Sequence, residues 1–276
     1  MRIRINKVCL LMVIAFFLTS CASYFEEGRR GVSSSLVDYL YPDGQVPPQH
    51  EETTPHLRLP LTVGLAFVPS QQGSSFALPE AKKTRLLEEA KQKFVGLDYV
   101  KEIVIVPETY MRSSKGFEGV GQIARLYGLD IVALVSYDQV AVTSETKSSV
   151  LYWTIVGAYF IKGNQNQATT FVDTAVFDVN SRKMLFRAPG VSDVQQSSTL
   201  VEVSQVNREA REKGFELAMA DMSENLAVEL DRFKEKIKED KSVQITHRQG
   251  YGGGGGIQWP FLLMLAGLAI VRIAKG

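Results

Sequence analysis

Cysteine and histidine are scarce in this sequence, and their scarcity excludes several kinds of chemistry before any motif is read. Two cysteines and three histidines are spread over 276 residues. Both cysteines, Cys9 and Cys21, fall near the amino terminus. The rest of the chain therefore has no thiol to act as a nucleophile or to close a disulfide. His50, His56 and His247 stand apart from one another. None has a neighbour at metal-ligand spacing, so they read as solvated side chains, and no metal or other cofactor is expected. A Gly-x-Ser-x-Gly elbow and a Gly-x-x-x-x-Gly-Lys-Ser/Thr loop are both missing. Gly116-Phe-Glu-Gly-Val-Gly121 is glycine-rich, but its order is not the dinucleotide fingerprint, and it reads as a flexible lead into a helix. An excess of either charge is lacking too. With 31 basic and 30 acidic side chains, a net charge of +1 leaves no footprint for nucleic acid.

What the sequence does have is concentrated at its ends. Arg2, Arg4 and Lys7 precede an uncharged apolar stretch from Val8 to Leu18. That is the charged region and hydrophobic region of an export signal, shorter than the ~20 residues of a spanning helix. Leu18-Thr19-Ser20-Cys21 then sets small residues directly before a cysteine. A plain export signal that happens to contain a cysteine is the blander reading. The tetrad resembles the lipobox of bacterial lipoproteins. The resemblance implies a diacylglyceryl thioether on Cys21 and removal of residues 1–20 by lipoprotein-processing enzymes. Ala22 follows Cys21, where lipoproteins retained at the inner membrane commonly carry Asp.

At the other end Tyr251 is followed by five glycines, Gly252, Gly253, Gly254, Gly255 and Gly256. An apolar run from Ile257 to Ala274 comes next, interrupted near its end by Arg272 and closed by Lys275. At about 1.5 Å per residue the run is just long enough for a ~30 Å hydrocarbon core. Trp259 suits the interface, and the basic end favours a cytoplasmic carboxyl terminus. A flexible linker before an ordinary anchor accounts for these features. The tail also resembles the GlyGly-CTERM sorting signal, a glycine cluster followed by a hydrophobic span and basic residues. Proteins carrying it are substrates of rhombosortases, intramembrane serine proteases. Lipobox and tail together resemble the rhombotarget lipoproteins. The resemblance implies a membrane-lipid anchor at Cys21 and cleavage at the glycines. It also implies an inner-membrane precursor that matures to the outer membrane or cell surface.

Between these ends the pattern is that of an α/β domain. Residues 21–57 are rich in Ser, Pro, Gly and charge, and read as an extended tether with a short helical turn near Leu36 to Leu40. Leu61 to Val68, Lys101 to Val106 and Ile131 to Val135, continuing toward Val142, read as strands. Leu151 to Phe160, Thr169 to Val179 and Met184 to Arg187 read the same way, the last two joined by a turn at Asn180-Ser181. Helices are expected from Pro79 through Phe94, through Val120 to Tyr127 ending at Gly128, and from about Leu200 to Lys238. The last carries a stripe of Phe215, Ala218, Met222, Leu226, Leu230, Phe233 and Ile237. Strand, helix, strand, helix, strands, helix predicts a mixed sheet with helices packed on it over 58–240. Residues 241–256 form the glycine-rich linker and 257–276 the spanning tail.

Ile123-Ala-Arg-Leu-Tyr-Gly-Leu-Asp130 running into Ile131 resembles a helix-to-strand step of envelope lipoproteins similar to the curli-secretion lipoprotein. The same step occurs in penicillin-binding-protein activators and the amino-terminal domain of TolB. Phe177 to Phe186 resembles the hairpin those proteins carry next. The resemblance implies a non-catalytic domain that binds an envelope protein partner. The alternative is a periplasmic or surface hydrolase with dispersed residues. Asp173 and Asp178 offer an acidic pair, but a solvent-facing or hairpin-stabilising carboxylate is the favoured reading. Tyr152, Trp153 and Tyr159 are either pocket or core aromatics.

Glycine is about 1 kcal/mol worse than Ala in a helix, so the run at 252–256 holds open the backbone that a protease must bind. Replacing Gly252–Gly256 with alanines should therefore protect the bond and leave uncut protein in the inner membrane, as read by membrane fractionation and intact mass. Outer-membrane protein that still carries the peptide from Trp259 to Arg272 would show an ordinary anchor instead.

Overall fold

The computed structural model describes residues 28–42, 54–70, 77–113, 115–146, 159–239 and 243–248. Its centre is the stretch after Ile131, where alternate side chains serve opposite faces. Ile131, Ala133, Val135 and Tyr137 enter one apolar cluster, while Val132 and Leu134 enter another. A strand apolar on both faces must be covered on both, and helices supply the cover.

In chain order the elements are β1 (Gly28–Ser34), α1 (Leu36–Leu40), β2 (His56–Leu59), β3 (Leu61–Phe67), α2 (Glu80–Gln92) and β4 (Val100–Ile105). There follow α3 (Glu108–Ser113), α4 (Gly116–Tyr127), β5 (Ile131–Glu145), β6 (Asn164–Asp178), β7 (Met184–Ser198), α5 (Val203–Glu239) and β8 (Gln244–His247). The main sheet runs β4-β3-β5-β6-β7. β3 is parallel to β4 and to the first part of β5, whereas β5, β6 and β7 form an antiparallel meander. β1 lies antiparallel to β5 beyond the end of β3, pairing Ser34 with Tyr137 and Gly28 with Thr143. β2 and β8 form a separate parallel pair. Helices α2 and α5 cover one face of the main sheet, and α1, α3 and α4 cover the other. The mixed sheet with helices packed on it is thus the fold expected from sequence.

Several boundaries differ. The stretch taken for a tether contributes β1 and α1 to the fold. Val32 and Tyr39 are buried, Tyr137 N donates to Ser34 Oγ at 2.9 Å, and Ser35 caps α1 by accepting from Asp38 N. The sequence of β1 carries two arginines and two serines, and over residues 31–34 it is Val32 and Ser34 that turn inward. β7 continues to Ser198 past Pro189, which is tolerated because β7 is the sheet edge. Of the strand expected over 151–160, residues 151–158 lie outside the described residues, and Tyr159 and Phe160 are exposed and helical. The terminal signals at 1–20 and 257–276 also lie outside them. Among the described residues, no helix is long and apolar enough to cross a membrane. The helix end at Gly128 is as expected, with a left-handed φ of 66° and its N–H bonded to Ala124 O.

The long helix α5 lies across β6 and β7 at close range. A Cβ built on Gly190 would sit 2.2 Å from Ala218 O and 2.4 Å from Met222 N, so the helix backbone itself occupies that space. Gly214 makes the reciprocal approach, its Cβ direction ending 2.6 Å from Thr170 Oγ1. Toward its amino end α5 rests on a hydrogen-bonded polar floor. Gln139 Nε2 donates to Thr170 Oγ1 and to Arg211 O, and Ser192 Oγ donates to Gly214 O. Overpacking a close seat costs about 1–3 kcal/mol. Gly190→Ala should lower Tm by several degrees in a thermal melt, whereas Gly31→Ala, with its nearest neighbour at 3.5 Å, should leave Tm nearly unchanged.

Candidate functional site

The residues singled out at the two ends, Leu18, Thr19, Ser20, Cys21 and Gly252 to Gly256, lie outside the described residues, as does His50. His56 is exposed on β2, with Nε2 2.9 Å from Thr246 Oγ1 across the small sheet, and His247 lies on β8. No three His, Cys, Asp or Glu side chains are grouped to hold a metal among the described residues. Asp173 and Asp178 do not form a pair. Five residues apart on β6, they point to opposite faces. Asp173 faces Arg187 at 3.0 Å, and burial raises its carboxyl above the ordinary range despite that cation. Asp178 is buried and accepts from Ser181 N at 2.8 Å, fixing the turn of the β6–β7 hairpin.

A buried ionic cluster, absent from the sequence reading, sits under α2. Lys83 and Glu108 are each 2% exposed and form a salt bridge. The Lys83 ammonium also lies 5.9 Å from the Phe67 ring centre and 5.4 Å from that of Tyr137. Glu108 accepts a second cation, Arg112, at 2.7 Å, and its backbone N–H donates to Glu80 Oε1 at 2.9 Å. Tyr137 Oη is buried with no hydrogen-bond partner among the described residues. The periodicity did carry a signal: Lys83 stands four residues before Leu87 and seven before Ala90, on the apolar face of α2. Charge hid it. The cluster joins α2 to α3 around the end of β3, and its acidic groups are all engaged.

Among the described residues, two openings in the surface stand out. One, of about 440 Å³, is lined by His56, Arg58, Asp130, Asp178, Asn180 and Arg248. Its polar groups are largely committed to the fold. Asp130 accepts from Thr62 N at 2.8 Å and from Arg248 Nη2 at 2.8 and 2.9 Å.

The other is an apolar cleft of about 360 Å³ between the sheet and the carboxyl half of α5. Val63, Leu65, Ala133 and Val176 form its floor, and Leu226, Leu230, Phe233 and Ile237 its roof. Phe94 and Leu97 close one side, while Leu57, Leu59 and Ile245 of the small sheet close another. It lies where α5 continues for four more turns past Gly190, meeting the sheet again through Phe233 on Phe186, ring centres 5.1 Å apart. The stripe read from sequence splits accordingly. Phe215, Ala218 and Met222 are buried, whereas Leu226, Leu230, Phe233 and Ile237 are only partly covered. Lys91, Lys234 and Lys238 stand at the rim. Tyr99 Oη is buried there, and Lys234 Nζ lies 4.8 Å from the centre of its ring. A cleft of this make-up can hold an apolar group by exclusion of water. It presents no acid, base and nucleophile in mutual reach.

No protein-family model matches the sequence, and no curated protein matches it. Solved structures with a similar arrangement include a neuraminyllactose-binding hemagglutinin homolog from Helicobacter pylori, with 10% identity and a TM-score of 0.36. That match covers 71% of this chain and 97% of the other. A DUF330 protein from Xanthomonas campestris matches at 8% identity and a TM-score of 0.32, covering 71% and 97%. The PelC dodecamer protein from Paraburkholderia phytofirmans gives 9% and 0.24, covering 71% and 99%. Likenesses this distant carry nothing about chemistry to this chain.

Breaking a buried ion pair from one side costs about 3–5 kcal/mol, because it strands the other charge. Lys83→Met should therefore destabilise strongly in urea unfolding. Adding Glu108→Gln to that variant should cost less than the sum of the two single changes. Additive losses would mean that the two side chains do not act as a pair.

Proposed function

We propose that this chain is an exported lipoprotein, anchored through Cys21, whose folded domain is a non-catalytic binding module of the cell envelope. The observation that carries the domain's part is the apolar cleft under α5. It is built of side chains from β3, β5, β6, α5 and the small sheet, with its only charges at the rim. A hydrolase would need an acid, a base or a nucleophile converging on such a cavity. Here the buried carboxylates, Glu108 and Asp178, serve an ion pair and a hairpin turn away from it.

The ends of the sequence support the anchoring part. Leu18-Thr19-Ser20-Cys21 offers a lipidation site, and the glycines at 252–256 offer a place to release the apolar tail. Ala22 directs the lipoprotein outward while Arg272 and Lys275 hold the intact tail in place. Moving those cations through the bilayer centre would cost at least ~2.5 kcal/mol each. In this reading a rhombosortase-type protease resolves the opposition, and the mature protein rests on its acyl chains at the outer membrane. One acyl chain holds only marginally, whereas the two or three of a lipoprotein hold firmly.

Radioactive palmitate should label the wild-type protein in growing cells and should not label Cys21→Ala. Label retained by that variant would refute the anchor at Cys21.

A further inference from the structure

We infer that the cleft under α5 takes up one acyl chain of an anionic membrane lipid, with the head group at Lys91, Lys234 and Lys238. The inference rests on reading the domain as a non-catalytic binding module, and it names the ligand class of that module.

Shape comes first. The lining residues contributed by α5 run from Met222 to Lys238, about four turns of helix. The cleft is therefore elongated, about 24 Å along the helix, a form that suits an unbranched chain.

Polarity excludes an extended peptide. A strand laid in the channel would bring a backbone N–H and C=O with every residue, and each must be paired when buried. The walls offer almost nothing to pair with. Thr174, the hydroxyl at the floor, already turns to Met222 Sδ at 3.0 Å. An unbranched hydrocarbon chain makes no such demand. It gains from every methylene it withdraws from water.

The mouth supplies the charge. Lys91, Lys234 and Lys238 line the cleft, with Lys234 Nζ 4.8 Å from the centre of the Tyr99 ring. Each meets a carboxylate three residues earlier on its own helix: Glu88 at 3.8 Å, Asp231 at 2.8 Å and Glu235 at 2.8 Å. These are exposed pairs, which an incoming anion can displace at little cost. A protein held at a bilayer by Cys21 would meet anionic lipid at high local concentration.

Photo-crosslinking in cells tests this on the full-length protein. Phe233→p-benzoylphenylalanine places a photoreactive aromatic at an aromatic position of the cleft wall, and Val228→p-benzoylphenylalanine, at an exposed site, serves as the control. After irradiation, the peptide bearing position 233 should gain the mass of a phospholipid, and the peptide bearing 228 should not. A crosslink from 233 to the 257–271 segment or to another protein would overturn the inference, as would no adduct at 233. Lys234→Glu combined with Lys238→Glu should reduce the lipid adduct at 233 at least fivefold, with Tm unchanged. An unchanged yield would refute the anionic head group. Palmitate labelling at Cys21 is read in the same cells. Retained label with no adduct at 233 removes the acyl chain while leaving the lipoprotein in place.

Discussion

The distance between α5 and the sheet governs the rest of the molecule. A helix of 37 residues can follow a twisted sheet closely only over part of its length. Here the close part is fixed by Gly190 and Gly214, which remove the side chains that would otherwise hold helix and strand apart. On the amino-terminal side of that seat the contact is polar and hydrogen-bonded, through Gln139, Thr170, Ser192 and Arg211. On the carboxyl-terminal side it opens into the apolar cleft. One helix therefore has three footings of different chemistry. The middle one determines where the other two fall.

The polar footing bears on specificity. A buried amide such as Gln139, 1% exposed, is costly unless its groups are paired, and Thr170 Oγ1, Arg211 O and Arg211 Nε pair them. Sliding α5 by one residue would break these bonds together, whereas an apolar floor would tolerate the slip. The ionic cluster of Lys83, Glu108 and Arg112 constrains α2 and α3 in the same sense. Ion pairs from Lys82 to Glu212 and from Arg85 to Glu216 link α2 to α5. Held from the sheet and from α2, the first two-thirds of α5 have little freedom. The last third does not share those restraints.

How much of this is visible in the sequence depends on what each residue signals. The strands around Val63 and Val132 are largely apolar because both of their faces are covered, and they are legible as such. The end of α4 at Gly128 is legible because only glycine takes that conformation readily. β1 is hidden because glycine, arginine and serine supply most of its residues and Val32 is its one large apolar side chain. The far half of β7 is hidden by Pro189 and Gly190, two residues that normally argue against a strand. One sits on an edge where its missing N–H matters little, and the other makes room for α5. The cleft is half legible. Leu226, Leu230, Phe233 and Ile237 continue the stripe begun by Phe215 without any change in spacing, and periodicity alone cannot tell a covered stripe from an overhanging one. That difference arises from the rigid approach at Gly190, a tertiary feature. Lys83 is missed for the opposite reason, since a charged residue on an apolar face reads as an exception until its partner is seen.

The position of the cleft relative to the chain's ends gives the arrangement its functional sense. β2 and β8 join a segment that follows α1 to the segment before the glycine run, in register from His56 with Gln244 to Leu59 with His247. Leu57, Leu59 and Ile245 of this pair form one wall of the cleft. The carboxyl-terminal segment thus leaves the fold next to the apolar cleft, whereas the amino-terminal one enters through β1, where Gly28 pairs with Thr143. A two-stranded pair is marginal by itself and persists only when its apolar side is covered. Its stability is consequently coupled to whatever fills the cleft. An occupant that completes that wall would tighten β2 against β8, and with them the exit of the carboxyl-terminal segment. By reciprocity, tension on that segment would be felt in the cleft.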